Sequence, residues 1–305
     1  MTDGMPFDRS AAEIGTPRRT REIIARYGFT FRKSLGQNFL VDANVLRRIV
    51  EAAELGSAKG ALEIGPGIGA LTERLALAAG KVVAIELDRR LIPILEDLLE
   101  PHRNVEIVHG DALKLDLKRL IAERFAGLDK VSVVANLPYY VTTPILMKLL
   151  EDRLPLESIV VMVQKEVAGR MTAPPGGKDY GSLSVAVRYF ADPEIVCHVP
   201  RNVFVPPPNV DSAVVRLRLR GRPPVDVRDE ALFFRVVHAA FAQRRKTLAN
   251  NLTALLGKER RGEAAELPAS CGIDPGRRGE TLSLEEFAAL ANVLAAHQTG
   301  RPSIG

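Results

Sequence analysis

Between Ala61 and Gln164 the sequence repeats one pattern: a short apolar run, a turn, then an amphipathic stretch. The runs are ALEI, VVAIE, VEIVH, VSVVAN and SIVVMVQ. They are short, rich in β-branched residues and end near Gly, Asp or Asn, the signature of buried strands. Between them lie stretches such as ALTERLALAA and RRLIPILEDLLE, which carry helical periodicity. Strand and helix in alternation build βαβ units, so the chain is expected to be an α/β protein with a mostly parallel sheet and helices on both faces. A later run, VDSAVVRLRLR, alternates apolar and basic residues. It reads as an exposed or edge strand, antiparallel to the rest, which makes the sheet mixed.

At 305 residues the chain has room for about two domains. The pattern breaks at Gly221-Arg222-Pro223-Pro224, and beyond that point the periodicity is helical: DEALFFRVVHAAFAQRRKTLANNLTALLG, then TLSLEEFAALANVLAAH. Residues 32–221 are therefore expected to form the α/β domain and 222–305 a small all-α domain. Residues 1–31 precede both as an N-terminal arm, whose first ~25 residues are polar and basic and are expected to be poorly ordered. Ala173-Pro174-Pro175-Gly176-Gly177 reads as a flexible turn.

The composition, 46% hydrophobic and 26% charged, is that of a soluble globular chain rather than a disordered, collagen-like or coiled-coil one. No apolar run approaches the roughly 18 residues of a membrane span, so no membrane partner is expected. The start lacks a secretory pattern. Cys197 and Cys271 lie far apart, with no CxxC or Cys/His cluster, so neither a disulfide framework nor a bound metal is expected, and a reducing cytoplasm is the simplest compartment. The net charge of +5 says less than its distribution: residues 201–260 hold 12 Lys and Arg against 5 Asp and Glu. A local basic surplus suits nucleic acid or another anionic surface; a solvated basic face is the alternative.

Two blocks carry chemistry. After the first strand, Gly65-Pro66-Gly67-Ile68-Gly69 lets backbone approach a ligand closely, because no Cβ intervenes. The second strand ends in Glu86, which can accept ribose hydroxyls, the third at Gly110-Asp111 and the fourth at Asn136. In an open α/β sheet these ends line one crevice. The glycines alone also satisfy a dinucleotide fingerprint. Against a nicotinamide cofactor, Pro66 lacks the N–H that a pyrophosphate would use, and Asp111 suits an amino group better than a phosphate. S-adenosylmethionine has a ribose, an adenine amine, a cationic sulfonium and no phosphate, and it fits acidic, carbonyl-rich strand ends.

The second block is Asn136-Leu137-Pro138-Tyr139-Tyr140. It resembles the Asn/Asp-Pro-Pro-Tyr loop of methyltransferases that act on exocyclic base amines. The N6 lone pair of adenine is delocalised and poorly nucleophilic. Two acceptors aimed at its hydrogens, the Asn136 side-chain oxygen and the Leu137 carbonyl, favour a pyramidal nitrogen. Pro138 would fix the turn, and Tyr139 offers a face on which an extruded base can stack. Catalysis of this kind is mostly positioning and electrostatics.

With these blocks, most of the chain resembles the small-subunit ribosomal RNA adenine dimethyltransferases. The resemblance rests on KSLGQNFL from Lys33, EIGPGIGALT, IELD, GDAL, NLPYYVTTPIL, MVQKEVAGRM, YGSLSV, VFVPPPNVDSAVV and FAQRRKTL. It implies a Rossmann-like class I methyltransferase domain. The QNFL block would cover the cofactor, making Asn38 and Leu40 contacts and Gln37 a neighbour. Gly65 and Gly67 belong to the cofactor turn, Glu86 to the ribose, Asp111 to the adenine, and Asn136 to both cofactor and target amine. Leu87 and Ala112, beside two of these acids, join the cofactor set. Phe204 resembles a second aromatic wall opposite Tyr139, with a core Phe as the alternative. The implied reaction is transfer of methyl groups from S-adenosylmethionine to N6 of two adjacent adenosines in the 3′-terminal hairpin of 16S rRNA. The implied partner is the 30S subunit or its precursor, met by a monomer.

Arg244, Arg245 and Lys246, read as lying on the first long helix after the break, are expected to bind RNA phosphates with Arg201, Arg216, Arg218 and Arg220; a solvated face is the alternative. Three rival functions remain open. A resistance-type enzyme would modify an adenine of 23S RNA. A nicotinamide-dependent oxidoreductase would leave the Asn136–Tyr139 block without a role. A non-catalytic RNA-binding assembly factor would keep the fold without turnover.

Overall fold

A computed structural model of the chain describes residues 13–32 and 35–299. All five apolar runs form parallel strands: β2 (Lys59–Ile64), β3 (Lys81–Glu86), β4 (Val105–His109), β5 (Lys130–Asn136) and β6 (Ser158–Gln164), numbered after β1 (Phe39–Leu40). With β7 (Ala191–Val199) and β9 (Ser212–Leu219) they make a seven-stranded sheet in the order β4-β3-β2-β5-β6-β9-β7. The remaining strand, β8 (Phe204–Val205), pairs antiparallel with β1 and sets Leu40 opposite Phe204. Strand order reverses direction between β2 and β5, and at such a switch point the carboxyl ends of the strands diverge into a crevice.

The helices in the first half of the chain are α1 (Pro17–Arg26), α2 (Ala43–Ala52), α3 (Ala70–Ala78), α4 (Ile92–Leu98), α5 (Leu117–Arg124), α6 (Thr142–Glu151) and α7 (Lys165–Thr172). Of these, α1, α2 and α5 start at a short polar side chain that caps them. The Asp42 carboxylate accepts the N–H groups of Asn44 and Val45 at the head of α2, and Asp116 accepts that of Arg119 in α5. Gly69 caps α3 at φ 91°, a conformation that excludes most side chains.

The strand β9 is antiparallel to β6, as its alternation suggests, but it is not an edge: β7 lies outside it. Ala213, Val214, Val215 and Leu217 are fully buried. Its arginines alternate because one face of the strand carries ion pairs rather than open solvent. Arg216 meets Glu54 and Glu194 at 2.6 Å each.

The expected poorly ordered arm also needs correction where it is described. Thr16 caps α1, Ile14 and Ile23 are buried, and both belong to the same apolar cluster as Leu46, Ile49 and Leu75. Ile14, just before α1, and Ile23 within it anchor the short basic helix. Residues 1–12 of the arm lie outside the described residues.

The chain divides into two compact units. The first holds the described residues up to Ala168 with Glu194–Leu219; the second holds Gly169–Pro193 and the described residues from Arg220 onward. The sequence reading puts a boundary near residue 221 and leaves residues 169–193 with the α/β domain; in the structure that segment packs with the C-terminal helices instead. The reason is aromatic packing. On α8 (Ser182–Phe190), Tyr189 stacks on Phe233 at 5.0 Å and Phe190 on Phe234 at 5.6 Å, both on α9 (Glu230–Phe241). The unit is completed by α10 (Leu248–Leu256), α11 (Arg261–Ser270) and α12 (Leu284–Thr299). Among the described residues no helix is long and apolar enough to cross a membrane, and no group of His, Cys, Asp and Glu is placed to hold a metal.

Ile23→Ala should lower stability by about 2–4 kcal/mol in urea unfolding, the cost of a buried aliphatic side chain. A loss below about 0.5 kcal/mol would return α1 to the status of a loose arm.

Candidate active site

The crevice at the switch point is a cavity of about 250 Å³ within the first unit. Every residue that the sequence singles out for the cofactor or the reactive loop lines it. Gly65 and Gly67 come from the turn after β2, Glu86 and Leu87 from the end of β3, and Asp111 and Ala112 from the end of β4. Asn136, Leu137, Pro138 and Tyr139 come from the end of β5. Gln37, Asn38 and Leu40 enter from the N-terminal side, and Phe204 enters from β8. Lys33 and Ser34, which begin the QNFL block, lie outside the described residues.

Close packing explains the glycine turn. Gly65 and Gly67 have φ of 73° and 61°, and a Cβ on Gly67 would sit 3.0 Å from the Phe39 ring. The Phe39 side chain therefore lies on the turn itself.

Glu86 is buried, and burial pushes its carboxyl up to about 7. Backbone N–H groups of Asp88, Gly67 and Leu87 hold it from rising further, the Asp88 N–H at 2.7 Å. Glu63, fully buried in β2, is pushed by burial up to about 8, with the Glu86 charge adding to the rise. Its Oε2 has no hydrogen-bond partner among the described residues. Glu63 and Tyr140 line the cavity and were given no role by sequence reasoning, although both stand inside the EIGPGIGALT and NLPYY motifs. An acid two residues before a glycine turn was the available signal for Glu63.

The segment that covers this side is pinned by a buried carboxylate, Asp88. Its Oδ2 accepts from Gln37 Nε2 at 3.0 Å, and its two oxygens take the Arg90 guanidinium. Arg90 also donates to the Thr30 carbonyl at 3.1 Å and lies over the Phe29 ring. Gln37 Oε1 accepts the Arg32 N–H. Gln37 thus lines the cavity but spends both ends of its amide on anchoring the segment.

In the reactive loop, Asn136 Nδ2 donates to the Asn38 carbonyl at 3.3 Å, and no described donor reaches its Oδ1. The Leu137 N–H bonds the Met162 carbonyl at 3.2 Å, which fixes the peptide whose carbonyl follows. Tyr139 hydroxyl and Ser212 Oγ are 2.6 Å apart, so β9 holds the Tyr139 ring at its far end.

The lining fits S-adenosylmethionine. It holds Glu63, Glu86 and Asp111, and none of its described residues is Lys, Arg or His. A pyrophosphate would find no cation here, whereas a sulfonium and a ribose find acceptors.

The RNA-contact residues fare differently. Arg216 has only 12% of its side chain exposed, and with Arg218 it shares Glu54 and Glu194. Two cations and two carboxylates cancel locally, so these arginines serve the sheet rather than a phosphate track. Gln243–Lys246 do not lie on a helix. They form the exposed turn between α9 and α10, because Thr247 caps α10 and the Lys246 N–H turns back to the Gln243 carbonyl. Arg244 donates to the Lys178 and Tyr180 carbonyls at 2.9 and 3.2 Å. Arg245 and Lys246 are exposed without an ion-pair partner among the described residues.

With the Glu86 carboxyl raised to about 7, a ribose that draws on its carboxylate form should make S-adenosylmethionine binding release a proton near and below that pH. Affinity measured by calorimetry should fall about tenfold per pH unit below about 7. Glu86→Gln should bind weakly with a flat profile. A flat profile in the unaltered chain would remove Glu86 from the binding step.

A family model, ribosomal RNA adenine dimethylase, matches residues 28–296. A curated relative, ribosomal RNA small subunit methyltransferase A of Geobacillus sp. (strain WCH70), is 61% identical over 284 residues, 92% of this chain and 98% of the relative. The protein of that name from Bacillus mycoides (strain KBAB4) is 58% identical over 288 residues, 94% of this chain and 99% of the relative. Among solved structures, a dimethyladenosine transferase from Plasmodium falciparum superposes with a TM-score of 0.68 at 27% identity, over 86% of this chain and 98% of that one. The 23S rRNA methyltransferase ErmE superposes at 0.63 with 29% identity, over 84% and 99%. The chain belongs to the ribosomal RNA adenine dimethylase family and is an S-adenosylmethionine-dependent methyltransferase acting on rRNA adenine.

Proposed function

We propose that the protein dimethylates N6 of two adjacent adenosines in the 3′-terminal hairpin of 16S rRNA, working in the cytoplasm on the 30S subunit or its precursor. The observation that carries this reading is the hydrogen bond from Asn136 Nδ2 to the Asn38 carbonyl, which commits the amide nitrogen and leaves Oδ1 as an acceptor for an amine. The 58–61% identity to small-subunit enzymes favours that RNA over the 23S target named for ErmE.

S-adenosylmethionine supplies an electrophilic methyl group. The chain's own residues do the rest by position. Glu86 accepts from the ribose, Asp111 from the adenine amine, and Gly65, Gly67, Leu87, Ala112, Asn38 and Leu40 close around the cofactor. Asn136 Oδ1 and the free Leu137 carbonyl accept the two hydrogens of the target amine. That draws its lone pair out of the ring and toward the methyl carbon. Tyr139, braced by Ser212, offers a face to the extruded base; Phe204, 3% exposed and packed in the apolar cluster opposite Leu40, backs the wall of the cavity from the core side. Pro138 keeps the loop in its turn. No base is required before attack, since the proton leaves after the nitrogen becomes cationic. Arg245 and Lys246 supply phosphate contacts, with Arg244 holding their turn.

Nucleoside mass spectrometry of 30S particles lacking these methyl groups should show N6,N6-dimethyladenosine after treatment with the protein. Modification of 23S RNA instead would overturn the choice of target. Asn136→Ala should lower transfer at least a hundredfold while RNA affinity changes less than threefold; equal activity would refute its role. The double change Arg245→Ala/Lys246→Ala should reduce the salt slope of RNA binding by about 1–1.5, and an unchanged slope would leave these cations as solvated surface.

A further inference from the structure

Phe204 contributes to the walls of two openings. It lines the cavity at the switch point, and it also lines a second, more open groove on the same unit. Pro17 and Arg21 of α1 form one bank of that groove, and the Arg201–Asn209 segment forms the other. Phe204, 3% exposed and part of the apolar cluster, is thus the residue common to both linings.

The groove has the inverse charge of the cavity. Its described lining holds two guanidinium groups, Arg21 and Arg201, and no carboxylate. Both arginines are exposed. The neighbours of Arg21 on α1 are spent, since Arg18 and Arg19 both pair with Glu22, but Arg21 has no ion-pair partner among the described residues. The Arg201 head group reaches only the Asn209 carbonyl, at 3.5 Å, while its backbone N–H is anchored by Asp211. Val205, Pro207 and Pro208 supply a stiff apolar floor, and Asn202 and Asn209 carry amides that can donate and accept. Guanidinium groups above an apolar platform edged by amides are what a single-stranded nucleic acid needs: phosphate contacts, a face for a base, and partners for its edge.

We infer that this groove holds the nucleotide next to the target adenosine, with its phosphate at Arg21 and Arg201 and its base against the proline floor. The inference rests on rRNA adenine being the substrate. When the target base occupies the cavity, the chain that carries it has to continue outside, and the cationic groove is the opening whose lining shares Phe204 with the cavity. The arrangement assigns a role to α1, since Arg21 is the residue by which that helix reaches RNA. It also places a demand on the substrate: the neighbour has to be unpaired to lie on the floor.

The test uses the full chain carrying Arg21→Glu and Arg201→Glu together, and separately Arg201→Gln. Binding is read by fluorescence anisotropy on the 16S 3′-terminal hairpin between 50 and 200 mM salt, with S-adenosylmethionine affinity measured in parallel. The double variant should bind the hairpin at least tenfold more weakly, with a salt slope smaller by about 1.4, or about 0.7 per lost phosphate contact, and with cofactor affinity retained. Should the change at Arg21 unfold α1, Arg201→Gln alone should weaken binding about threefold and lower the slope by about 0.7. Hairpin affinity and slope equal to those of the unaltered chain, with cofactor affinity retained, would overturn the inference. If the unaltered chain proves to methylate 23S RNA, the same variants are read on that RNA, so an error about the target stays separate from an error about the groove.

Discussion

The site hangs on one buried ion pair. Asp88 follows Glu86 by two residues, and Arg90 follows it by two more. Hydrogen bonds from Arg90 come first among the forces that hold the Asp88 carboxyl down to about 2, with Gln37 adding to them. A carboxylate this acidic stays charged at every pH at which a ribosome works. The stability it contributes is present above its ordinary value of 3.8 and is lost only as pH falls through about 2. Through this pair Phe29, Thr30 and Gln37 are fastened to the end of β3. Asn38, next to Gln37, in turn sets the amide of Asn136. The Asn136 side chain, to which the proposed function gives the target amine, is thus positioned by a chain of contacts that starts at a carboxylate outside the cavity lining.

Charge differs between the two openings of the first unit. The cavity has three acids among its described lining and no cation, which favours a sulfonium and disfavours phosphate. The groove beyond Phe204 has two cations and no acid among its described lining. The buried Glu63 and Glu86 show what the acidity costs. Burial holds both well above their ordinary range, so the free protein keeps protons that a bound cation or ribose would displace.

The sheet and the cavity were legible in the sequence because both depend on short-range features. VEIVH and SIVVMVQ form strands over the very residues read as runs, and Gly65, Glu86, Asp111 and Asn136 meet because all stand at carboxyl ends of parallel strands. The misreadings share one physical cause. Arg216 and Arg218 looked like a basic surface, yet both meet carboxylates more than 20 residues away, at Glu54 and Glu194. Composition records a cation without recording what neutralises it. Likewise α8 carries the apolar pattern of any βαβ helix, and only the rings of Phe233 and Phe234 draw it into the C-terminal unit.

What the sequence by itself determined was the order of strands and helices, the glycine turn, and the identity of the acids and the amide at the strand ends. These come from periodicity, backbone freedom and side-chain chemistry, which are properties of neighbouring residues. Tertiary structure decided which end of the Asn136 amide is free, which arginines remain unpaired, that α1 is packed rather than loose, and that Phe204 faces two openings. Each of those depends on a contact between segments distant along the chain, and such contacts exist only once burial has brought the segments together.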